Sequence, residues 1–305
     1  MKIMITGGAG FIGSHIADLL IDRGHDMVIV DDLSNGKREN INPRAAFYHI
    51  SILDRRLADI FKKEKPDAVI HHAAQISVRD SVKDPLHDMD INIRGSLQLL
   101  EHCKDYPVKK IIFSSTGGAL YGEQDYFPAD ENHPMRPLSP YAIAKLSVEK
   151  YLFFYYTTHR LPYTALRYAN VYGPRQDPFG EAGVVAIFSQ RMLKGDSPVI
   201  NGDGNQTRDF VYVGDVARAN LLALQHEVTG EINIGTGVET TINTIFHEIR
   251  SLVASATPEV HGPAMPGEQL RSVISCQKAR AVLGWEPTIP LTEGLRHTVE
   301  YFKQR

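Results

Sequence analysis

Tyr141 and Lys145 stand four residues apart in the segment Ser139-Pro-Tyr-Ala-Ile-Ala-Lys145. On an α-helix this spacing places both side chains on one face, one above the other. A lysine ammonium there stabilises a phenolate, so we expect it to lower the pKa of Tyr141 from about 10 towards the range of a general base. The same spacing arises by chance on many solvent-exposed helices. The pair therefore predicts proton transfer only together with other features of the chain.

Hydroxyl side chains end a predicted buried strand upstream of this pair. Residues 110–115 form the strand, and Thr116 follows it directly. Ligands of open α/β sheets bind at the carboxyl ends of the strands, so we expect Thr116 to face the ligand crevice. Its hydroxyl could hydrogen-bond to a substrate alcohol and polarise the proton that Tyr141 accepts. A structural hydroxyl at a strand end would look the same; Tyr141 and Lys145 favour the catalytic interpretation.

Three glycines separate a first predicted strand, residues 2–6, from a predicted helix at 14–23. Gly7 would permit the tight turn, Gly10 would let the backbone approach a pyrophosphate, and Gly13 would let the helix pack on the strand. The phosphates would bind the free amides at the helix N-terminus. The segment therefore predicts a dinucleotide site.

The next predicted strand ends in an acidic residue, Asp31. A carboxylate at this point suits the ribose hydroxyls and repels a 2′-phosphate, so it favours NAD over NADP. An acidic residue that merely opens a loop is the alternative. Lys37 and Arg38 follow closely and could receive a 2′-phosphate.

Two histidines, His71 and His72, end another predicted strand. Adjacent strand residues point to opposite faces, so we expect packing or hydrogen bonding rather than a metal pair. The small Ala73 and Ala74 would let the backbone approach a cofactor. Asn92, within a predicted helix, is either a polar support for the site or ordinary helix polarity.

Composition limits the class of protein. The chain has 305 residues, 43% of them hydrophobic, a formal net charge of −3 and no basic run, which disfavours nucleic-acid binding. Cys103 and Cys276 are the only cysteines and do not predict a disulfide framework or a metal site. The first strand leaves no room for a signal peptide, and no apolar run is long enough to span a membrane. We expect a soluble protein of a reducing compartment, the cytoplasm.

Strand-like and helical patterns alternate through the first half of the chain, which predicts a Rossmann-type, doubly wound parallel sheet. We expect an NAD-binding domain at 1–169, with later segments near 205–235 woven back into it. Residues 170–305 would form mainly a smaller α/β substrate-binding domain. The strand predictions are 2–6, 27–31, 46–50, 68–72, 110–115 and 163–167, and the helix predictions include 14–23, 54–64, 85–103 and 140–159.

Several motifs resemble the extended short-chain dehydrogenase/reductases, and most closely the UDP-glucose (UDP-galactose) 4-epimerases. The resemblance covers nearly the whole chain. It is carried by Thr6-Gly-Gly-Ala-Gly-Phe-Ile-Gly-Ser-His15, Ser114-Ser-Thr-Gly-Gly-Ala-Leu-Tyr-Gly122, Tyr141-x-x-x-Lys145, Leu166-Arg-Tyr-Ala-Asn-Val-Tyr-Gly-Pro-Arg-Gln176 and Arg208-Asp-Phe-Val-Tyr-Val-Gly-Asp215.

This resemblance implies a retained NAD and a UDP-sugar substrate. In the family, a tyrosine takes a proton from the sugar 4-hydroxyl while the hydride passes to NAD and returns to the other face of the 4-keto sugar. By position, Tyr141 would be the base, Lys145 would lower its pKa and hold the nicotinamide ribose, and Thr116 would bind the 4-hydroxyl. Two glycines after Thr116 stand where sugar 4,6-dehydratases carry an Asp-Glu pair, which disfavours that activity.

The resemblance also implies binding residues. Cofactor contacts are implied for Gly7, Gly10, Phe11, Ile12, Gly13, Asp31, Asn35, Ser51, Ile52, Ala73, Ala74, Asn92, Ser114, Tyr141, Lys145 and Tyr168. Substrate contacts are implied for Thr116, Asn170, Val184, Val185, Arg208, Arg271 and Ser272. No metal site is implied.

Four positions distinguish this chain within the family. Ser51 replaces an adenine-binding Asp, and Ile200 occupies the place of an aromatic residue that stacks on uracil. Met265 replaces a diphosphate-binding Arg, and Arg271 is the candidate to compensate for it. Ser272 replaces a bulky residue beside the sugar 2-substituent, so the pocket is expected to accept N-acetylated sugars as well.

Alternatives within the fold are a nucleotide-sugar decarboxylase or reductase, and outside it a non-catalytic NAD-binding regulator. Relatives pair as homodimers through two helices, here about 85–103 and 140–158. Apolar residues on these helices either form that interface or belong to the core: Leu97, Leu100, Leu152, Phe153 and Tyr156.

Overall fold

The computed structural model describes residues 1–106, 108–179, 183–265 and 269–305. Its strands are β1 Lys2–Thr6, β2 Asp26–Asp31, β3 Ala46–His49, β4 Ala68–His71, β5 Lys110–Thr116, β6 Tyr163–Tyr168, β7 Asn170–Tyr172, β8 Val199–Asn201, β9 Thr207–Arg208, β10 Phe210–Tyr212, β11 Gly230–Ile234, β12 Thr240–Thr241, β13 Val260–Gly262 and β14 Arg271–Ser272.

Helices connect most of these strands, with a 3₁₀ turn at Arg38–Asn40 and a π-helical segment at Asp90–Gly95. The α-helices are α1 Phe11–Asp22, α2 Leu57–Glu64, α3 Val78–Lys83, α4 Pro85–Met89, α5 Ser96–Asp105, α6 Pro140–His159, α7 Val184–Leu193, α8 Val213–Gln225, α9 Ile242–Val253, α10 Gln277–Leu283 and α11 Leu291–Lys303.

The central sheet confirms the predicted doubly wound architecture. Among the described residues, seven parallel strands lie in the order β11-β6-β5-β4-β1-β2-β3. The strand order reverses between β1 and β4, so a crevice opens at the carboxyl ends of these strands, where doubly wound folds bind their ligands. The predicted helix at 85–103 differs: α4 and α5 are separated by the π-helical segment.

Two apolar cores hold the sheet between its helices. Alternate residues of each strand point to opposite faces, so Ile3 and Ile5 pack towards α1 and α8, whereas Met4 packs towards α2 and α5. Each fully buried aliphatic side chain of this kind contributes about 1.5–3 kcal/mol. The sheet is therefore a rigid base for the loops at its carboxyl edge.

The second half of the chain both returns to the sheet and forms a smaller unit. β11 pairs with β6 at the sheet edge, and α8 packs against α1. The small sheets β10-β7, β12-β9-β14 and β13-β8 lie beside a third core, built largely from α7, α9 and α11. Within the residues described, no helix has the length and apolar character needed to cross a membrane.

Candidate active site

Helix α6 presents Tyr141 at its first turn. The Ser139 hydroxyl accepts a hydrogen bond from the Ala142 amide at 3.2 Å, and Pro140 occupies the first helical position. Both residues are favoured at these positions because they satisfy or remove the unpaired amides of a helix N-terminus. The helix therefore begins immediately before Tyr141, at the carboxyl edge of the sheet.

Lys145 lies one turn further along α6 and is anchored to β5. Its Nζ donates to the Ser114 carbonyl at 2.8 Å and lies 4.8 Å from the centroid of the Phe113 ring. The same Nζ is 5.8 Å from the centroid of the Tyr141 ring. The Tyr-Lys spacing thus brings both groups to one place, as expected for one face of a helix.

The pKa of Tyr141 differs from the expectation that Lys145 would lower it. Burial, with a smaller effect of the Asp88 carboxylate, raises the pKa of Tyr141 to about 12. Burial also lowers the pKa of Lys145 to about 8, against the opposing effects of Asp88 and Glu149. The Lys145 ammonium donates to a backbone carbonyl and not to the phenol, so the protein groups alone do not lower the pKa of Tyr141.

Thr116 lies opposite this helix at the end of β5. Its Oγ1 accepts a hydrogen bond from the Ala119 amide at 3.2 Å. A Cβ placed on Gly118 would lie 4.0 Å from Thr116 Oγ1 and 3.8 Å from Asn170 Oδ1. Gly118 therefore leaves space between Thr116 and Asn170, two residues for which substrate contacts are implied by the resemblance.

The turn between β1 and α1 fits a dinucleotide. Gly7 has φ +72°, and a Cβ there would lie 2.6 Å from the Ala73 amide nitrogen, so only glycine is tolerated. A Cβ on Gly13 would lie 2.2 Å from the Gly7 carbonyl oxygen. Phe11 and Ile12 form the first turn of α1, whose amides have no helical acceptor and suit a diphosphate.

Asp31 lies at the end of β2 beside this turn. Its carboxylate is buried and accepts hydrogen bonds from the Ala9 amide at 2.9 Å and the Leu33 amide at 2.8 Å. A carboxylate has further lone pairs for ribose hydroxyls. The two nearby cations have other partners: Lys37 pairs with Asp177 at 3.5 Å, and the Arg38 guanidinium lies 5.4 Å from the Phe47 ring centroid.

This arrangement predicts a strong preference for NAD. We expect the protein to bind NAD about 100-fold more tightly than NADP, because a 2′-phosphate would meet the buried carboxylate, and like charges brought together cost several kcal/mol. Asp31→Ala should reduce that ratio below about tenfold. The dissociation constants are measured by calorimetry, with the exposed neighbour changed in Asp32→Ala as the control. An unchanged ratio in Asp31→Ala would contradict this role.

The two histidines are hydrogen-bonding groups. His71 bridges Thr6 Oγ1 at 2.7 Å and Ser96 Oγ at 2.9 Å, and burial holds its pKa well below the usual value. His72 Nε2 lies 3.1 Å from the Tyr168 hydroxyl, which also accepts from Asn220. Across the described ranges, no group of three or more His, Cys, Asp or Glu side chains could hold a metal ion.

Asn92 lies in the π-helical segment and joins it to the loop after β4. Its Oδ1 accepts from the Gln75 amide, and its Nδ2 donates to the Gln75 carbonyl and to Asp88 Oδ1, each at 2.9 Å. Asp88 is only 1% exposed, so its carboxylate acts on Tyr141 and Lys145 through a poorly solvated region. Asp88 and Gln75 were not predicted from the sequence; the i, i+4 spacing of Asp88 and Asn92 was the available signal.

Arg208 and Ser272 are brought together on adjacent strands. They are direct partners in the parallel pairing of β9 with β14. Asp209, which the sequence analysis also missed, is buried next to Arg208 and accepts from the Thr236 amide and hydroxyl and from the Gly237 amide. Asp209 therefore fixes the loop that faces these two residues.

Three positions on the substrate side have protein contacts of their own. Ile200 is 1% exposed and belongs to the third core, so it does not occupy a stacking position; strand alternation turns Asn201 to the other face. The Val185 side chain is also in this core, so only its backbone at the α7 N-terminus could face a ligand. Arg271 is bound by the Glu239 carboxylate and stacks 3.6 Å from the Phe127 ring centroid.

The remaining assigned residues lie around the crevice or its margins. Ser51 Oγ accepts from the Leu53 amide at 3.3 Å, and Ile52 is buried against Gly95. Asn35 is exposed in the loop after β2, and Val184 is partly buried at the start of α7. Met265 is 39% exposed, and the three residues that follow it lie outside the described part of the chain.

Comparisons with known proteins agree along the full chain. Residues 3–235 match the NAD dependent epimerase/dehydratase family. The chain is 48% identical over 303 residues to a putative UDP-glucose 4-epimerase of Methanocaldococcus jannaschii, covering 99% of this chain and 98% of that protein. The crystal structure of the Thermotoga maritima UDP-glucose 4-epimerase with UDP-glucose has a TM-score of 0.98 and 52% identity, covering 100% and 99% of the two chains. The Thermus thermophilus UDP-glucose 4-epimerase, solved with NAD, has a TM-score of 0.94 and 45% identity, covering 99% of each chain.

Proposed function

Since this chain belongs to the NAD dependent epimerase/dehydratase family, we propose that it is an NAD-dependent 4-epimerase that interconverts UDP-glucose and UDP-galactose. The observation that supports the proposal is that Lys145, next to Tyr141 on α6, is hydrogen-bonded to β5, the strand that ends at Thr116, in a sheet whose glycine turn fits a dinucleotide. Relatives that match the chain over nearly its full length include a putative UDP-glucose 4-epimerase and two named UDP-glucose 4-epimerases, one of them solved with UDP-glucose.

The protein groups supply binding and proton transfer. Thr116 Oγ1 orients the sugar 4-hydroxyl, and the Tyr141 phenolate accepts its proton and returns it from the same oxygen. The Lys145 ammonium lies 5.8 Å from the centroid of the Tyr141 ring and favours the phenolate electrostatically, although burial outweighs this effect in the protein alone. The glycine turn and Asp31 would hold NAD, which would supply the hydride acceptor when bound.

Gly117 is the first of the two glycines that stand where sugar 4,6-dehydratases carry an Asp-Glu pair. A Cβ on Gly117 would lie 2.6 Å from Ile274 Cδ1 and 3.3 Å from the Arg167 carbonyl oxygen. An acidic side chain at this position would need Ile274 to move. The structure therefore has no general acid where water elimination would require one.

The activity is tested by incubating the purified protein with UDP-galactose and following the products by NMR. We expect an equilibrium mixture with UDP-glucose and no stoichiometric NADH. Release of CO2 would instead indicate a decarboxylase, and accumulation of NADH would indicate a net oxidation. Bound NAD without turnover would favour a non-catalytic regulator.

We also propose that N-acetylated UDP-hexoses are substrates. Ser272 is small, 3% exposed and paired with Arg208 across β9 and β14, so a larger side chain would project into the region next to that guanidinium. Ser272→Tyr should lower kcat/KM for UDP-N-acetylgalactosamine about 100-fold while changing the value for UDP-galactose less than about threefold. Ser272→Ala, which leaves the volume nearly unchanged, is the control. An unchanged ratio in Ser272→Tyr would contradict the proposal.

A homodimer is supported by exposed apolar side chains, although not by the residues first expected. Leu100 and Leu152 are core residues, and Leu97 and Tyr156 pack against that core, which leaves Phe153 exposed. Further exposed apolar side chains on α3, α4 and α6 are Val82, Leu86, Met89, Ile143, Tyr151 and Phe154, and both shorter helices pack against α6. Exposed apolar side chains grouped on neighbouring helices are typical of interaction sites. Sedimentation velocity should give twice the monomer mass of 34.0 kDa.

Three further statements about this protein are proposals. Residues 170–305 would mainly bind the nucleotide sugar, with β11 and α8 serving the NAD-binding sheet. The cytoplasm is the proposed location and galactose metabolism the proposed pathway, and cell fractionation followed by growth on galactose without the gene would test them.

A further inference from the structure

A buried ion pair joins Glu149 on α6 to Arg167 on β6, and the mechanism above uses neither residue. Arg167 donates to Glu149 from Nε to Oε1 at 3.0 Å and from Nη2 to Oε2 at 2.7 Å. The two side chains are 2% and 0% exposed. Removing two charges from water costs several kcal/mol per ion, so a buried pair adds little net stability compared with apolar residues of the same size. Its position therefore points to a role beyond holding the fold.

The pair is connected to β5 at the residue before Thr116. The Ser115 hydroxyl donates to Glu149 Oε1 at 2.6 Å. The preceding residue, Ser114, accepts a hydrogen bond from Lys145 at 2.8 Å. Because Lys145 and Glu149 are one helical turn apart on α6, the helix is bound to the end of β5 at two successive levels.

Arg167 fixes the other side of this connection. It is the direct partner of Ser115 in the pairing of β5 with β6. Its Nη1 donates to the Tyr121 hydroxyl at 3.1 Å, and that hydroxyl donates to Asn233 Oδ1 at 2.7 Å. Polar contacts thus hold α6, β5, β6, β11 and the loop after β5 in one arrangement.

We propose that Glu149, held by Arg167 and bonded to Ser115, is a positioning residue that sets the separation between Thr116 and Tyr141. The inference rests on the proposed epimerase activity. Glu149 acts through the β5 backbone rather than on the reacting atoms, so it should affect the chemical step more than binding. A misplacement of about 1 Å in such a site lowers the rate about 100-fold.

The test uses two variants of the full-length protein. Glu149→Leu combined with Arg167→Met removes both charges at similar volume and should keep the melting temperature close to that of the original protein. We expect kcat to fall about 10- to 100-fold, with KM for the nucleotide sugar and Kd for NAD within about threefold. Ser115→Ala removes only the connection to β5, leaves the ion pair intact, and should lower kcat in the same way but by less.

Glu101→Gln is the matched control. Glu101, on α5, accepts a hydrogen bond from the Tyr155 hydroxyl. Tyr155 lies on α6, several turns away from Tyr141. This variant removes a polar contact of α6 without touching the end of β5. Its kcat should stay within about twofold of the original.

The pH profile separates positioning from general loosening of the structure. Lys145 lies near Tyr141 and Glu149 on its own helix, with Arg167 of β6 paired to Glu149. Asp88 of α4, the neutral His71 at the end of β4 and the neutral His72 directly after it act on Lys145 from the other elements. Activity that needs the Lys145 ammonium is lost as the pH rises through its pKa of about 8. The double variant removes one negative and one positive charge together, so the alkaline limb should stay in place in this variant and in Ser115→Ala. Entry of water into a loosened site would instead raise the pKa of Lys145 and move the limb to higher pH.

A folded double variant with unchanged kcat would overturn the proposal. If the double variant does not fold, Ser115→Ala decides, and a kcat equal to that of Glu101→Gln would overturn it. A failure of the proposed function is distinguishable, because it would appear as absent epimerase activity in the original protein before any variant is compared.

Discussion

Tyr141→Phe should lower kcat for UDP-galactose by about 10²- to 10⁴-fold, the contribution typical of a positioned general acid–base group. The ring remains to fill its place on α6, so the melting temperature and the dissociation constant for NAD should change little. Steady-state kinetics and calorimetry on the purified variant provide these values. The result would identify the phenol hydroxyl as the proton acceptor, because only one oxygen has been removed.

Tyr156→Phe is the matched control for this experiment. Tyr156 lies on the same helix and packs edge to face against Tyr163, with ring centroids 6.2 Å apart. Its hydroxyl is remote from Thr116 and Lys145, so kcat should be unaffected. Equal activity of Tyr141→Phe and Tyr156→Phe would contradict the role of Tyr141.

Arg167→Met alone should lower the free energy of unfolding by about 3–5 kcal/mol, since it leaves the Glu149 carboxylate buried without its partner. With an unfolding entropy of roughly 2 cal/mol/K per residue, the melting temperature should fall by roughly 5–8 °C. Differential scanning calorimetry measures both quantities. The single change is thus expected to be more damaging than removal of both charges.

The double variant Glu149→Leu/Arg167→Met provides the comparison. Without either charge, its free energy of unfolding should lie within about 1–2 kcal/mol of the original value, the remaining cost being the lost Ser115 hydrogen bond. If Arg167→Met were as stable as the original protein, the ion pair would not be buried as the structure shows.

The sheet could be predicted from sequence because its strands are buried on both faces and appear as continuous apolar runs between helical segments. The site at its carboxyl edge followed from the same topology, together with the glycine turn and the spacing of Tyr141 and Lys145. The break in the predicted helix at 85–103 left no comparable signal, since π-helical hydrogen bonding has no clear sequence pattern.

Contacts between distant segments account for what the sequence did not predict. Glu149 and Arg167 are 18 residues apart, on a helix and a strand, and no local pattern relates them. The raised pKa of Tyr141 depends on burial and on Asp88, which only the packing of α4 against α6 brings near. By resemblance, Ile200 stands where relatives carry an aromatic residue that stacks on uracil, whereas the alternation along β8 places its side chain in the core.

The central claim is that one hydride leaves and returns to the same carbon within a single site. It is tested most directly with UDP-galactose deuterated at C4 of the sugar, incubated with the purified protein and analysed by NMR and mass spectrometry. We predict UDP-glucose that retains the deuterium at C4, with no label in water and no stoichiometric NADH. Loss of the label to solvent, or its accumulation in free NADH, would contradict the proposed epimerase mechanism.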